Sequence, residues 1–363
     1  MQQKQGGITM KKAYLVLEDG QVFEGVRFGA DGDVVGELVF HTGVVGYIET
    51  LTDPSYSGQI VMQTYPLIGN YGMIEEDFEG RCAVRGYVVR ECCDGPSNFR
   101  TQYDLDTYLK QQGVPGLYGV DTRELTRIIR ENGVMNAAIC AEIPADLEVV
   151  KTYAITGAVK SVTCGSLSVY PATGEEKFRV SLLDCGTKRS LIRRLQSMGC
   201  TVTVLPADTS AEEILKAKPD GLVVSGGPGD PRENTAIIAE LAALLGKVPM
   251  FGIGLGHQMM ALAAEAETAK LKQGHRGANQ PVREVAGERT YITSQNHGYA
   301  VEAESVKRGK VSFVNVNDGT CEGIDYPEEK AFSVQFDPEL CQSLKNTYFL
   351  FDRFAEIMKG GDL

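Results

Sequence analysis

Four short stretches hold the residue types from which acyl-transfer chemistry is built. The first, Val248-Pro249-Met250-Phe251-Gly252-Ile253-Gly254-Leu255-Gly256-His257-Gln258, runs from an apolar segment through glycines to a helix start near Leu255. That pattern is a strand–turn–helix corner, which lifts the central side chain of a G-x-nucleophile-x-G turn over a sheet edge. The nucleophile's position is 254, and glycine stands there. In the second, Ser225-Gly226-Gly227-Pro228-Gly229-Asp230-Pro231, glycines let backbone N–H groups approach an anion closely. It is neither a Walker A loop nor a G-x-G-x-x-G motif, and by itself it reads equally as a tight turn. The third, Ser294-Gln295-Asn296-His297-Gly298-Tyr299, is a compact polar cluster between β-type runs, and the fourth, Gln335-Phe336-Asp337-Pro338-Glu339, carries two carboxylates. Each of these two, taken singly, reads as a loop.

The elements that must position these stretches follow from the change of period at Phe178. Strands are expected at 178–183, 201–205, 221–224 and 248–253, alternating with helices at 187–198, from Ser210, and at 234–245. Such alternation means a mostly parallel sheet covered by helices on both faces, with ligands at the carboxyl ends of the strands. Short strands return at 290–293, 311–316 and 332–335, and a last helix places Leu344, Tyr348, Phe351, Ala355 and Met358 on one apolar face. The N-terminal part reads as short strands at 13–17, 21–23 and 37–40, then a polar stretch, Gly46 to Tyr56, expected to be a surface turn around Asp53-Pro54. Asp121 and Glu124 mark a helix start with a capping box, Leu125, Ile128 and Ile129 give its apolar stripe, and Arg123, Arg127 and Arg130 its solvated face.

Composition bounds the rest. A length of 363 residues predicts two domains, and 43% hydrophobic residues suffice for ordinary cores. The formal charge of −12 argues against nucleic acid or an anionic membrane as the main partner. No segment approaches the ~20 apolar residues that span a bilayer. The nine cysteines are scattered, with no metal-like spacing, so no metal site is expected and the thiols read as reduced ones in a cytoplasmic protein. The domains are expected as a 1–9 extension ahead of a natural start at Met10, an N-terminal domain at 10–150, a linker at 151–176 that lacks a sustained period, and an α/β domain at 177–363.

Taken in order, the four stretches resemble the class I glutamine amidotransferases. Gly46-Tyr47, Leu51-Thr52-Asp53-Pro54-Ser55-Tyr56, Tyr65-Pro66-Leu67-Ile68-Gly69-Asn70, Ser97-Asn98-Phe99-Arg100, Gly119-Val120-Asp121-Thr122-Arg123-Glu124 and Gly274-His275-Arg276-Gly277 narrow this to the carbamoyl phosphate synthetase small-subunit family, from about residue 12 to the end. The resemblance implies a mixed β/α N-terminal domain ahead of an amidotransferase-like domain. It implies a large, MgATP-using subunit as partner in a heterodimer, no cofactor in this chain, L-glutamine as substrate, and a place in pyrimidine or arginine biosynthesis. It implies that glutamine is held by Ser55, Gly227, Gly229, Leu255, Gln258, Asn296, Gly298 and Tyr299, with the N–H groups of Gly227 and Leu255 as an oxyanion hole.

The family's catalytic groups fare differently. Its nucleophilic Cys belongs at Gly254 and its basic His at Asp337, and only the orienting carboxylate, Glu339, is retained. A thiolate with a base in hydrogen-bond reach is required for this chemistry, so glutaminase activity is expected to be absent or vestigial. His257, His275 and His297 occupy ordinary family positions, and Cys185, at the right sheet edge but without a base, reads as a packed thiol. Further departures are Gly226 for Asn, Tyr299 for Phe, and Leu340-Cys341-Gln342 in place of Ser-Pro-Gly-Pro. Drift at several places fits natural degeneration better than an engineered knock-out. The alternative is a non-catalytic glutamine-binding or scaffolding protein outside carbamoyl phosphate synthesis.

Overall fold

In the computed structural model the structure describes residues 4–5, 8–9, 11–287, 289–340 and 347–361. The chain divides into two compact units, Met1–Ile155 and Thr156–Leu363. The expected extension at 1–9 lies largely outside the described residues, as do Leu344, Cys341 and Gln342.

The N-terminal unit is a closed barrel of seven strands. β1 (Lys12–Leu17), β2 (Val22–Gly29), β3 (Val34–His41), β4 (Gln59–Gln63), β5 (Gly86–Val89), β6 (Pro115–Tyr118) and β7 (Met135–Cys140) pair in the order β6-β2-β1-β7-β3-β4-β5 and back to β6. Helix α1 (Tyr47–Thr52) and α2 (Leu105–Gln112) pack one apolar cluster, and α3 (Thr122–Asn132) packs another through Leu125, Ile128 and Ile129. The Asp121 carboxylate caps α3 by accepting from Arg123 N and Glu124 N, and Arg123, Arg127 and Arg130 are exposed. The surface turn expected around Asp53-Pro54 is instead largely buried: Tyr47, Ile48, Leu51, Asp53 and Tyr56 all lie inside. Its polar groups satisfy one another there, Thr52 Oγ1 donating to Ile48 O and Asp53 Oδ1 accepting from Ser55 N at 2.8 Å.

In the C-terminal unit, α4 (Glu148–Lys151) having closed the preceding unit, α5 (Ala158–Val162) and β8 (Ser168–Tyr170) fall within the 151–176 stretch, and β8 pairs with the sheet. The sheet then runs β9 (Phe178–Asp184), β10 (Cys200–Pro206), β11 (Gly221–Val224), β12 (Met250–Ile253), β13 (Thr268–Glu284), β14 (Thr290–Val301), β15 (Lys310–Asn315), β16 (Cys321–Tyr326) and β17 (Ala331–Val334). Their order is β8-β10-β9-β11-β12-β17-β16-β14-β13-β15, and the neighbours from β10 to β17 pair in parallel. Alternate residues of the central strands feed opposite faces. Leu183, Val224 and Met250 enter the cluster under α7 (Ala211–Lys216), α8 (Thr235–Leu244) and α9 (Leu255–Ala263). Leu182, Val223 and Phe251 enter the one under α6 (Arg189–Ser197) and α10 (Phe349–Met358).

Two expectations need correction. The Ser294–Tyr299 stretch is not a loop but part of β14, which pairs with β13. The C-terminal helix buries Leu350, Phe351, Phe354 and Ile357 rather than a face through Tyr348, Ala355 and Met358. Phe251 sets that rotation, stacking on Phe332 at 4.4 Å and meeting Phe351 and Phe354 at 5.7 and 5.8 Å.

Candidate functional site

The carboxyl ends of β9, β11, β12 and β17, four parallel neighbours, carry the loops on which the candidate residues lie. The corner after β12 forms as expected. Gly254 has φ 55° and ψ −112°, a region that costs a residue with a side chain roughly 1–3 kcal/mol. A Cβ at 254 would meet Gly226 Cα at 3.3 Å and Gln335 O at 3.8 Å, so the elbow keeps room for a small side chain with a slight shift. Helix α9 starts directly after it, with Leu255 N–H among the orphan donors of a helix N-terminus. The Gly-rich turn lies against this corner: Gly256 N donates to Ser225 O at 3.1 Å. Position 227 admits only glycine, because a Cβ there would sit 2.1 Å from Cys185 O.

The fourth stretch carries an ion pair rather than a base. Asp337 Oδ1 lies 2.6 Å from Lys188 Nζ, and Glu339 Oε1 lies 3.8 Å from the same ammonium. All three side chains are buried, Lys188 at 4% exposure, Asp337 at 11% and Glu339 at 1%. A buried ammonium beside two carboxylates lowers the cost of keeping them there. Lys188 was not among the candidates read from the sequence. Asp184 delivers it, its carboxylate accepting from Gly186 N at 3.1 Å, Thr187 N at 2.7 Å and Cys164 N at 2.7 Å, which folds the post-β9 loop inward. The available signal was a lysine placed directly after a buried strand end, Asp184-Cys185-Gly186-Thr187-Lys188.

Cys185 is fully buried in the core, and burial pushes its thiol far up, out of the range where a thiolate forms. Each histidine is engaged elsewhere. His41 meets Gln63 Oε1 at 3.2 Å in the N-terminal unit, and His257 Nδ1 meets Ser333 Oγ at 2.8 Å, burial lowering its pKa to about 3. Burial also pulls His275 down, but hydrogen bonds to Asp318 and Glu322 outweigh it and set its pKa at about 9. His297 is held well below its usual value, first by burial and then by the neighbouring His275 cation. His275, His297 and Glu322 converge closely, yet their polar atoms are taken up by hydrogen bonds with one another and with Asp318, Gln295 and Tyr299.

The expected binding residues are grouped as follows. Gln258 Nε2 donates to Tyr299 O at 2.7 Å and to Gln335 Oε1 at 2.9 Å, joining α9, β14 and the post-β17 loop. Asn296 Nδ2 is buried and without a partner, a donor that a bound amide or carboxylate can satisfy. Burial raises Asp230, but hydrogen bonds from Arg232 and the Tyr299 side chain hold its carboxyl below the usual value, and the Tyr299 contact ties β14 to the Gly-rich turn. Gly227, Gly229 and Gly298 lie on the same two segments. Ser55 belongs to the N-terminal unit, half-buried in the short helical turn Pro54–Tyr56. Among the described residues no helix is long and apolar enough to cross a membrane, and the cysteines are free thiols.

Residues 15–139 match the carbamoyl-phosphate synthase small chain CPSase domain family, and residues 181–357 match the glutamine amidotransferase class-I family. The chain is 47% identical over 355 residues to a carbamoyl phosphate synthase small chain of Bacillus thuringiensis subsp. konkukian, covering 96% of each. It is 46% identical to that of Listeria monocytogenes serotype 4b, covering 97% of this chain and 98% of the relative. A solved glutamine amidotransferase from Thermotoga maritima is 20% identical with a TM-score of 0.37, over 50% of this chain and 82% of that one. The two family matches and the similarity of nearly the full chain to the curated small chains place this chain in the carbamoyl phosphate synthase small-chain family.

Proposed function

We propose that this chain is the small subunit of a carbamoyl phosphate synthetase whose own glutaminase step is lost, so that the complex draws on ammonia. The observation that carries the reading is Asp337 at the base position, bound to Lys188 at 2.6 Å, in a unit whose elbow holds Gly254. Nucleophile and base are both missing from their positions, Cys185 is fully buried with its thiol pushed far up, and His257, His275 and His297 are engaged in other hydrogen bonds. Residues 177–363 form the amidotransferase-like domain in this reading, 10–150 the domain that docks, and 151–176 the connection. The partner is a large subunit that carries the MgATP chemistry, in a cytoplasmic heterodimer serving pyrimidine or arginine biosynthesis.

Glutamine remains a ligand in this proposal. The buried, unpartnered Asn296 Nδ2, the Gln258–Tyr299 bond and the glycine nest favour a pocket kept for binding after its chemistry was lost. The same observations support the second reading, a non-catalytic glutamine-binding or scaffolding protein. Mixing the chain with the large subunit, MgATP and bicarbonate separates the two. Carbamoyl phosphate formed from ammonium chloride but not from glutamine supports the first, and failure to associate with the large subunit leaves only the second.

A further inference from the structure

The two sides of β14 differ in exposure. Tyr291, Thr293, Gln295 and His297 are buried, whereas Ile292, Ser294, Asn296 and Gly298 between them are exposed or half-exposed. Asn296 and Gly298 therefore stand on the open side of the strand. Across the ladder His275 faces His297, and Arg276 faces Asn296. Residues directly opposite one another share a side, so Arg276 also belongs to the open side. Arg276 is nonetheless only 4% exposed. Arginine rarely lies so deep, and here the reason is local.

Two glycines let the guanidinium lie flat along the strands. Arg276 Nη1 donates to Gln273 O at 2.8 Å, within the bulge of β13 between Lys270 and His275. A Cβ at Gly274 would collide with Nη1, and one at Gly298 would lie 3.1 Å from Nη2. Nη1 is thus turned to the bulge, and Nη2 is brought over Gly298. On the same side, Asn296 Nδ2 is buried and makes no hydrogen bond. A guanidinium presents its N–H groups in a planar fork that fits a carboxylate, and an amide NH2 on the same side adds a further donor.

We propose that Arg276, together with Asn296, receives the α-carboxylate of the bound amino acid. The inference rests on the reading that this pocket still takes glutamine. Glutamine has two polar ends, a side-chain amide and an amino-acid head. In that reading the N–H groups of Gly227 and Leu255 at the elbow meet the amide, which leaves the charged head to the β14 segment. Gln258 joins the two places, donating from the elbow helix α9 to Tyr299 O at 2.7 Å. The elbow then selects the side chain, and Arg276 selects the class of ligand, an α-amino acid with its carboxylate free.

The test compares L-glutamine with L-glutaminol, in which a hydroxymethyl group replaces the carboxylate, by calorimetry on the full chain. Arg276→Gln keeps an N–H donor for Gln273 O and removes the charge. The parent should bind glutamine at least about tenfold more tightly than glutaminol. Arg276→Gln should weaken glutamine about 10- to 150-fold, the size of a hydrogen bond to a charged group, and leave glutaminol within about twofold. A residue that only held the bulge would weaken both ligands alike, and that result overturns the proposal, as does an unchanged glutamine affinity. A parent that binds glutaminol as tightly as glutamine overturns the proposal and leaves the pocket reading standing. A parent that binds neither ligand overturns the pocket reading, and the proposal falls with it. Should Arg276→Gln not fold, Arg276→Lys, which keeps the charge and gives up the fork, takes its place. A several-fold loss confined to glutamine is then expected, and an equal loss for both ligands, or none, overturns the proposal.

Discussion

Restoring the missing groups in turn is the sharpest perturbation of the site. In Gly254→Cys the new side chain enters a backbone at φ 55° and ψ −112°, with its Cβ 3.3 Å from Gly226 Cα. The strain is roughly 1–3 kcal/mol, and at about 2–4 °C per kcal/mol for a unit of this size it should lower Tm by roughly 2–12 °C. The thiol then has no base, because Asp337 is held by Lys188 at 2.6 Å. Adding Asp337→His supplies the base, with Glu339 available to orient it and Lys188 left to Glu339 alone. A general base contributes about 10²- to 10⁴-fold, so the double variant should release ammonia from glutamine at least ~100-fold faster than Gly254→Cys. The assay is coupled detection of ammonia together with glutamate. A single variant as fast as the double, or a parent chain that already matches it, would refute the reasoning.

Three further outcomes follow from the same geometry. Lys188→Met leaves Asp337 and Glu339 buried without their cation and should cost about 3–5 kcal/mol, read as a lower urea midpoint, while Lys188→Met with Asp337→Leu should recover part of it, Glu339 remaining buried without the cation. Asn296→Ala removes the unpartnered donor and should weaken glutamine binding roughly threefold to tenfold by calorimetry. His257, fully buried, has its pKa lowered from 6.5 to about 3, so below pH 6.5 the unfolded chain binds a proton that the folded chain refuses. Stability should therefore fall as pH drops from 6.5 towards 3, and His257→Asn should flatten that slope in thermal unfolding series.

The parallel sheet and the elbow were legible in the sequence because strands buried on both faces read as unbroken apolar runs. Residues 221–224 and 250–253 are of this kind, and the glycines between Gly252 and Gly256 admit few other turns. The long β13–β14 hairpin was not legible, since Gly274, Gly277 and Pro281 interrupt any alternation, and the buried Gln295 bonds to His297 and to Glu322, far along the chain. The Asp53-Pro54 segment misled for a related reason, its polar groups being buried against its own backbone and not hydrated. The face of α10 was set by Phe251 and Phe332, contacts distant in sequence that no local period encodes. Lys188 escaped notice because a buried lysine is rare and the acids that hold it lie about 150 residues later, at Asp337 and Glu339.

The central claim is that nitrogen no longer leaves glutamine in this chain. With the large subunit, MgATP and bicarbonate present, glutamine labelled with nitrogen-15 at its side-chain amide is supplied beside unlabelled ammonium chloride. The account predicts unlabelled carbamoyl phosphate and intact glutamine. Label in the carbamoyl group would contradict it.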